Sequence, residues 1–302
     1  MFNKIIVGVD GRQGGRDALA LAARLASLSG GELVAVHAYP YDVFTGRGAT
    51  PDFETIMHGS AEYLLTEELE RAHVAAHTAA MPDGSPGRAL HLAAKRRHAS
   101  LIVVGSAHRG TVGRVLAGDV TMGTMHGAEC PVIVAPRGYA ERGCALQTIG
   151  VGFDGTPESR AATELARDLA KAAGGRLKVI RALEPPSPGG PALGYDAEWA
   201  QRAEERREEV QAELDALLAE LGDIATGEVV VGDAATELAY AGNELDLLVT
   251  GSRGYGPVRR LMLGSTSTRL VREAPCPVLV LTRGAEAESE HAGAASVAAH
   301  TT

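Results

Sequence analysis

The chain has 302 residues, a formal net charge of −9, and 45% hydrophobic and 22% charged residues. That length predicts two domains of about 150 residues, and the acidic balance argues against a nucleic-acid surface, which carries a basic footprint. No apolar run approaches the ~18 residues of a membrane span, no signal peptide is visible in MFNKIIVGVD, and three cysteines make no disulfide framework. A cytoplasmic protein with neither nucleic-acid nor membrane partners is the expectation.

In chain order, IIVGV (5–9) reads as a short buried strand. A glycine-containing turn follows. Apolar residues at Ala18, Leu21, Ala22, Leu25 and Leu28 then predict a helix, which Gly30-Gly31 ends. LVAVHA (33–38) is a second strand, Pro40–Pro51 a long loop, and a charged helix leads to a weak strand near Thr78–Met81. After another helix come the strands LIVVG (101–105) and PVIVA (131–135). The segment RGYAERGC (137–144) leads into a second pass of the same order. TIGVGF, LKVIRA, GEVVVG, DLLVTG and PVLVL are its strands, and EWAQRAEERREEVQAELDALLAEL its amphipathic helix.

The two passes are copies. Asp10, Gly11, Arg16, Leu21, Leu25 and Gly30-Gly31 match Asp154, Gly155, Arg160, Leu165, Leu169 and Gly174-Gly175 at an offset of 144. Gly105-Ser106 and Cys130-Pro131 match Gly251-Ser252 and Cys276-Pro277 at an offset of 146. The period is too long for a solenoid. The reading is a duplicated α/β domain, 1–140 and 146–284, each half a doubly wound parallel sheet of five strands. The tail 285–302 is small, polar and predicted to be disordered. Each half ends in an apolar strand, and pairing those two strands would hide their edges in a pseudo-twofold arrangement.

Ligands of such sheets sit at the carboxyl ends of the strands. Asp10 and Asp154 fall there, and so do the stretches beginning at Gly105 and Gly251. In GSRGYGPVRRLMLGST (251–266) the glycines let a backbone approach a ligand closely. Gly264-Ser265-Thr266 opens a helix whose unpaired N–H groups suit an anion. This is neither a Walker loop nor a dinucleotide fingerprint. From the residues alone two readings stand: a phosphate cradle, or tight turns with Ser265 as a helix cap.

The spacing Gly251-x2-Gly254-x9-Gly264-Ser265, together with VGFDG (151–155) and APCPVLVL (274–281), resembles the nucleotide-binding signature of the universal stress protein family. The resemblance covers both halves and implies a tandem member with the adenine-nucleotide alpha-hydrolase-like fold. It implies an ATP and Mg²⁺ site in the second half, built from Asp154, Gly155, Ala182, Gly251, Ser252, Arg253, Gly254, Gly264, Ser265 and Thr266. Asp154 and the backbone of Ala182 would meet adenine, Gly251 and Gly254 the ribose and phosphates, and Gly264, Ser265 and Thr266 the phosphates. It further implies a stress-linked regulatory module, able to form a homodimer and to meet an unidentified protein partner. A slow ATPase or nucleotidyl transferase, or a ligand-free partner-binding protein, are the rivals.

The first half departs from that signature. Its equivalents are Asp10, Gly11, Ala38, Gly105, Gly110 and Gly118, but His108 stands for Gly254, Asp119 for Ser265 and Val120 for Thr266. A carboxylate about 4 Å from a phosphate charge costs ~4 kcal/mol at an effective dielectric of ~20, near a thousandfold in affinity. A magnesium ion bridging Asp119 to phosphate would reverse that sign. The expectation is a weak or empty first site. His73 and His77, four apart on a predicted helix, lack a third metal ligand in the sequence and read as surface residues. Cys130 and Cys276 read as packing residues.

Overall fold

A computed structural model describes residues 1–40, 51–107, 113–143, 145–184, 197–252 and 264–281. In the first half the strands are β1 (Lys4–Gly8), β2 (Glu32–Tyr39), β3 (His77–Pro82), β4 (Leu101–Gly105) and β5 (Val132–Ala135). They alternate with α1 (Gln13–Ser29), α2 (Pro51–Ala72), α3 (Pro86–Arg97) and α4 (Asp119–Met125). The second half repeats this with β6 (Thr148–Gly152), β7 (Arg176–Leu183), β8 (Ala225–Val231), β9 (Leu247–Gly251) and β10 (Val278–Leu281). Its helices are α5 (Pro157–Ala173), α6 (Ala197–Leu221), α7 (Ala234–Ala241) and α8 (Ser265–Glu273).

Local chemistry sets the helix ends. α1 stops at Gly30 and α5 at Gly174, whose φ values of 66° and 64° lie in the left-handed region that glycine enters without strain. α5 starts with the Thr156 side chain accepting from Ser159 N–H and with Pro157 in its first turn. The loops between Pro40 and Pro51 and between Pro185 and Tyr195 lie mostly outside the described residues.

All ten strands form one sheet in the order β3-β2-β1-β4-β5-β10-β9-β6-β7-β8. Pairing is parallel within each half and antiparallel where β5 meets β10, with Val134, Ile133 and Val132 opposite Val278, Leu279 and Val280. The expected pairing of the two final strands is present. Strand alternation sends Ile5 and Val7 to one face and Ile6 to the other. One core lies beneath α1, α2, α5 and α6 and contains Leu21, Leu25, Leu65, Ile149, Leu169 and Leu214. The other lies beneath α3, α4, α7 and α8 and contains Leu90, Ile102, Met125, Leu238, Leu248 and Leu270. Both cores run unbroken across the junction of the halves. Among the described residues no helix is long and apolar enough to cross a membrane.

The segment after β5 is anchored by a buried carboxylate. Asp17, on α1, is fully buried and accepts hydrogen bonds from Gly138 N–H (2.8 Å), Ala140 N–H (3.0 Å) and Gln13 Nε2 (3.2 Å). Burial pushes its pKa up, the two backbone N–H groups pull against that shift, and the net direction is upward. At the repeat-matched position the second half has Ala161, so this anchor belongs to one half alone.

Asp17→Ala leaves two N–H groups without their acceptor and should cost about 2–3 kcal/mol in urea unfolding. The gap to wild type should narrow as pH climbs from the ordinary carboxylate range toward the raised value, because over that window the folded state still holds a proton that the unfolded chain has released. Equal midpoints for the two proteins would remove Asp17 from this role.

Candidate functional site

Each half of the sheet reverses its strand order between its first and fourth strands, and a cleft opens at the carboxyl ends there. The second-half cleft, of ≈ 600 Å³, brings together Asp154, Ala182, Gly251, Ser252, Gly264 and Thr266. Gly155 and Ser265 do not line it; Ser265 is exposed at the first position of α8. Arg253 and Gly254 lie outside the described residues. The first-half cleft, of ≈ 430 Å³, is lined by the expected Asp10, Ala38, Gly105 and Gly118, with Asp119 beside them. Gly11 is not in its lining, and Gly110 and His108 lie outside the described residues.

Asp154 is held as an acceptor. Its Oδ1 takes hydrogen bonds from the Thr156 N–H (3.0 Å) and hydroxyl, while its own N–H donates to Ser159 Oγ (3.3 Å). Burial pushes its pKa up, but bonds from the Thr156 hydroxyl and N–H and from Ser159, with the charge of Arg181, outweigh that and leave it lowered. The turn needs Gly155, whose φ is 83°.

The second wall comes from ladder geometry. Phe153 N–H donates to Ile180 O at 2.9 Å, and Gly232 N–H donates to Leu183 O at 3.0 Å. Backbone groups alternate sides along a strand. Ala182 therefore turns its N–H and C=O the same way as Ile180, into the space beyond the end of β6. Ala38 is placed likewise beyond β1, since Val9 N–H donates to Val36 O (2.9 Å) and Asp83 N–H to Tyr39 O (2.9 Å). The intervening side chain takes up the carbonyl that would lengthen the ladder. His37 Nδ1 lies 2.7 Å from Val9 O, and Arg181 Nη1 donates to Phe153 O at 3.3 Å.

The glycines divide into two kinds. A Cβ on Gly105 would stand 1.9 Å from Gly14 O, and one on Gly251 would stand 3.0 Å from Glu158 O. These two residues admit the first turns of α1 and α5 onto the strand ends. Gly264 has φ −68° and ψ 166°, which any residue adopts, and no side chain caps α8 there. What glycine supplies at 264 is therefore an open approach to the first-turn N–H groups. The hydroxyl fastening α8 is that of Ser267, which donates to Gly251 O at 3.1 Å, as Thr121 does to Gly105 O at 2.9 Å. The expected site residues ended at Thr266; the hydroxyl shared by Thr121 and Ser267, matched at the offset of 146, was the available signal.

The first-half loop 113–118 crosses to the other half. Val115 N–H donates to Ala274 O (2.7 Å) and Ala117 N–H to Val271 O (2.9 Å), at the end of α8. Ala107 N–H donates to Leu116 O (2.8 Å), and Leu116 N–H to Ser106 Oγ (3.2 Å).

His73 and His77 do not share a helix. His73 follows α2 with φ 53°, and His77 begins β3, with Nε2 3.8 Å from Glu32. Among the described residues no three or more His, Cys, Asp or Glu side chains gather to hold a metal. Cys276 is buried, and burial pushes its thiol up to about 12.

The sequence profile described as the universal stress protein family matches residues 1–136 and 145–282. A universal stress protein of Mycobacterium tuberculosis is 28% identical over 91% of this chain and 94% of its own length. One of Thermus aquaticus is 38% identical over 45% of this chain and 98% of its own length. The crystal structure of a universal stress protein from Archaeoglobus fulgidus shares the fold, with a TM-score of 0.66 at 22% identity, covering 93% of this chain and 99% of that one. The chain belongs to the universal stress protein family.

Two checks follow from the packing. Gly105→Ala should lower stability by about 3 kcal/mol or more, and Gly251→Ala by about 1 kcal/mol, because only the first drives a carbon into a carbonyl oxygen well inside contact distance. Chemical unfolding of the two variants reads the difference, and equal costs would contradict the packing. Cys276 should resist iodoacetamide at pH 8 in the native protein and react once denaturant unfolds it.

Proposed function

We propose that this universal stress protein is a cytoplasmic, ATP-binding regulatory module of a stress response, with the nucleotide in the second-half cleft. Asp154 and the backbone of Ala182 would meet the adenine end. Gly251, Ser252, Arg253 and Gly254 would follow the ribose and phosphates, and Gly264, Ser265 and Thr266 would receive the phosphates. Mg²⁺ would neutralise those phosphates and be held chiefly by their oxygens. The bound state would be read by a protein partner, by one chain or by a homodimer.

The observation that carries this reading is Gly264. Its torsions suit any residue, yet the position is bare, and the uncapped first turn of α8 opens on a cleft whose opposite wall presents Asp154. An enzyme would need a base positioned beside the phosphates, and Asp154, assigned to the adenine end, does not supply one. Hydrolysis is therefore expected well below the ~1–10³ s⁻¹ of typical enzymes.

Freshly purified protein, denatured and chromatographed, should release ATP or ADP, and titration calorimetry should show one tight ATP site per chain. Gly264→Asp should weaken ATP by two to three orders of magnitude, from repulsion of about 4 kcal/mol. It should leave the unfolding midpoint nearly unchanged, because the extended torsions at 264 suit an aspartate helix cap. Normal ATP binding by this variant would refute the site. Rapid turnover lost on Ser265→Ala would turn the protein into an enzyme.

A further inference from the structure

We infer that the first-half cleft is a second ligand site, for an uncharged purine nucleoside of the adenosine class, and that Asp119 sets its selectivity against phosphorylated forms. This rests on reading the second cleft as an adenine-nucleotide site, since the base-facing wall is common to both.

The cleft has not filled in. It keeps ≈ 430 Å³, inside the range of small-molecule sites. Its base end is the same construction as in the second half. Asp10 follows β1, and Ala38 turns its N–H and C=O past the end of that strand. Val36, Leu90 and Val104 give an apolar floor suited to a flat ring. One residue differs in chemistry. Where the second half has Arg181, with donors alone, the first has His37 in the lining. Val9 O can only accept, so His37 Nδ1 carries the proton of that 2.7 Å bond, and Nε2 of the neutral ring is an acceptor. An exocyclic amine is a matching donor.

The far end keeps an uncapped helix start at Gly118 but carries different side chains. Asp119 lines the cleft at the first position of α4, where the second half has Ser265, and Val120 replaces Thr266. Four backbone donors of the described loop are already engaged. Ala107, Val115, Leu116 and Ala117 give their N–H groups to Leu116 O, Ala274 O, Ser106 Oγ and Val271 O. No nest of free N–H groups remains along 115–117 for an anion. A carboxylate in their place repels phosphate and accepts from ribose hydroxyls, which are donors. A nucleoside satisfies both ends of this cleft, and a nucleotide satisfies one.

The test uses the full chain carrying Gly264→Asp, which closes the second cleft to nucleotide. Calorimetry with adenosine should show at least one site per chain, and ATP should bind at least a hundredfold more weakly than adenosine. Adding Asp119→Asn should raise AMP affinity at least tenfold and move adenosine by less than about fivefold. Irradiation with 8-azidoadenosine should label peptides containing Val36–Ala38 or Gly118–Thr121. No adenosine binding by Gly264→Asp, ATP binding there as tight as adenosine, or label confined to the second half would each overturn the inference. Wild-type protein that binds ATP tightly while Gly264→Asp binds no adenosine would sink it and leave the second-cleft reading intact. A wild type that takes adenosine in the first half and no ATP anywhere would do the reverse.

Discussion

The antiparallel contact of β5 with β10 is the constraint on which the rest of the molecule depends. Val132, Ile133 and Val134 face Val280, Leu279 and Val278, and all six are fully buried. Either strand alone would present an apolar edge open to pairing with another chain. Joined, they turn two five-stranded sheets into one of ten. The direction of the contact matters as much as its burial. Because β10 runs against β5 and every other pairing is parallel, the carboxyl ends of the two sets of strands lie at opposite edges of the sheet. The two clefts must therefore open away from each other. Neither can be completed by the equivalent surface of the other half.

Much of this was legible before any coordinates. The apolar runs and the glycines between them carry the strand order, and the internal match at offsets of 144 and 146 gives the duplication. The terminal strand pairing follows from two short apolar segments that needed cover. What escaped was whatever depends on helix phase or on one copy alone. Ser265, Thr266 and Ser267 are equivalent as letters, but α8 exposes the first and turns the third onto Gly251 O. His73 and His77 have helical spacing, but α2 ends at Ala72, before both, and the chain turns into β3 at His77. Asp17 sits in an otherwise apolar helix face, and its meaning depends on Gly138 and Ala140, more than 120 positions away. Gly251 was assigned to ligand, and the packing of α5 against it gives it a structural reason as well.

The repeat-matched residues also show how a duplicated fold divides its work. The first half holds the joining segment through Asp17 and reaches the second through Val115 and Ala117. Donors committed to that union are not available to an anion. Sequence comparison registers the outcome as drift in a nucleotide motif, since His108, Asp119 and Val120 replace residues of the signature. In structural terms the N–H groups of Val115 and Ala117 join the halves, through Ala274 O and Val271 O.

The same loop ties the clefts together through α8. At its start, Gly264, Thr266 and Ser267 line the second cleft. Val271 O in its last turn and Ala274 O just beyond it accept from the loop that ends at Gly118 in the wall of the first. Nine residues at 1.5 Å each make a rod of roughly 13 Å, with Leu270 and Val271 fully buried beneath it. One short helix therefore lines one cleft with its start and accepts, at its end, hydrogen bonds from the loop that leads to the wall of the other.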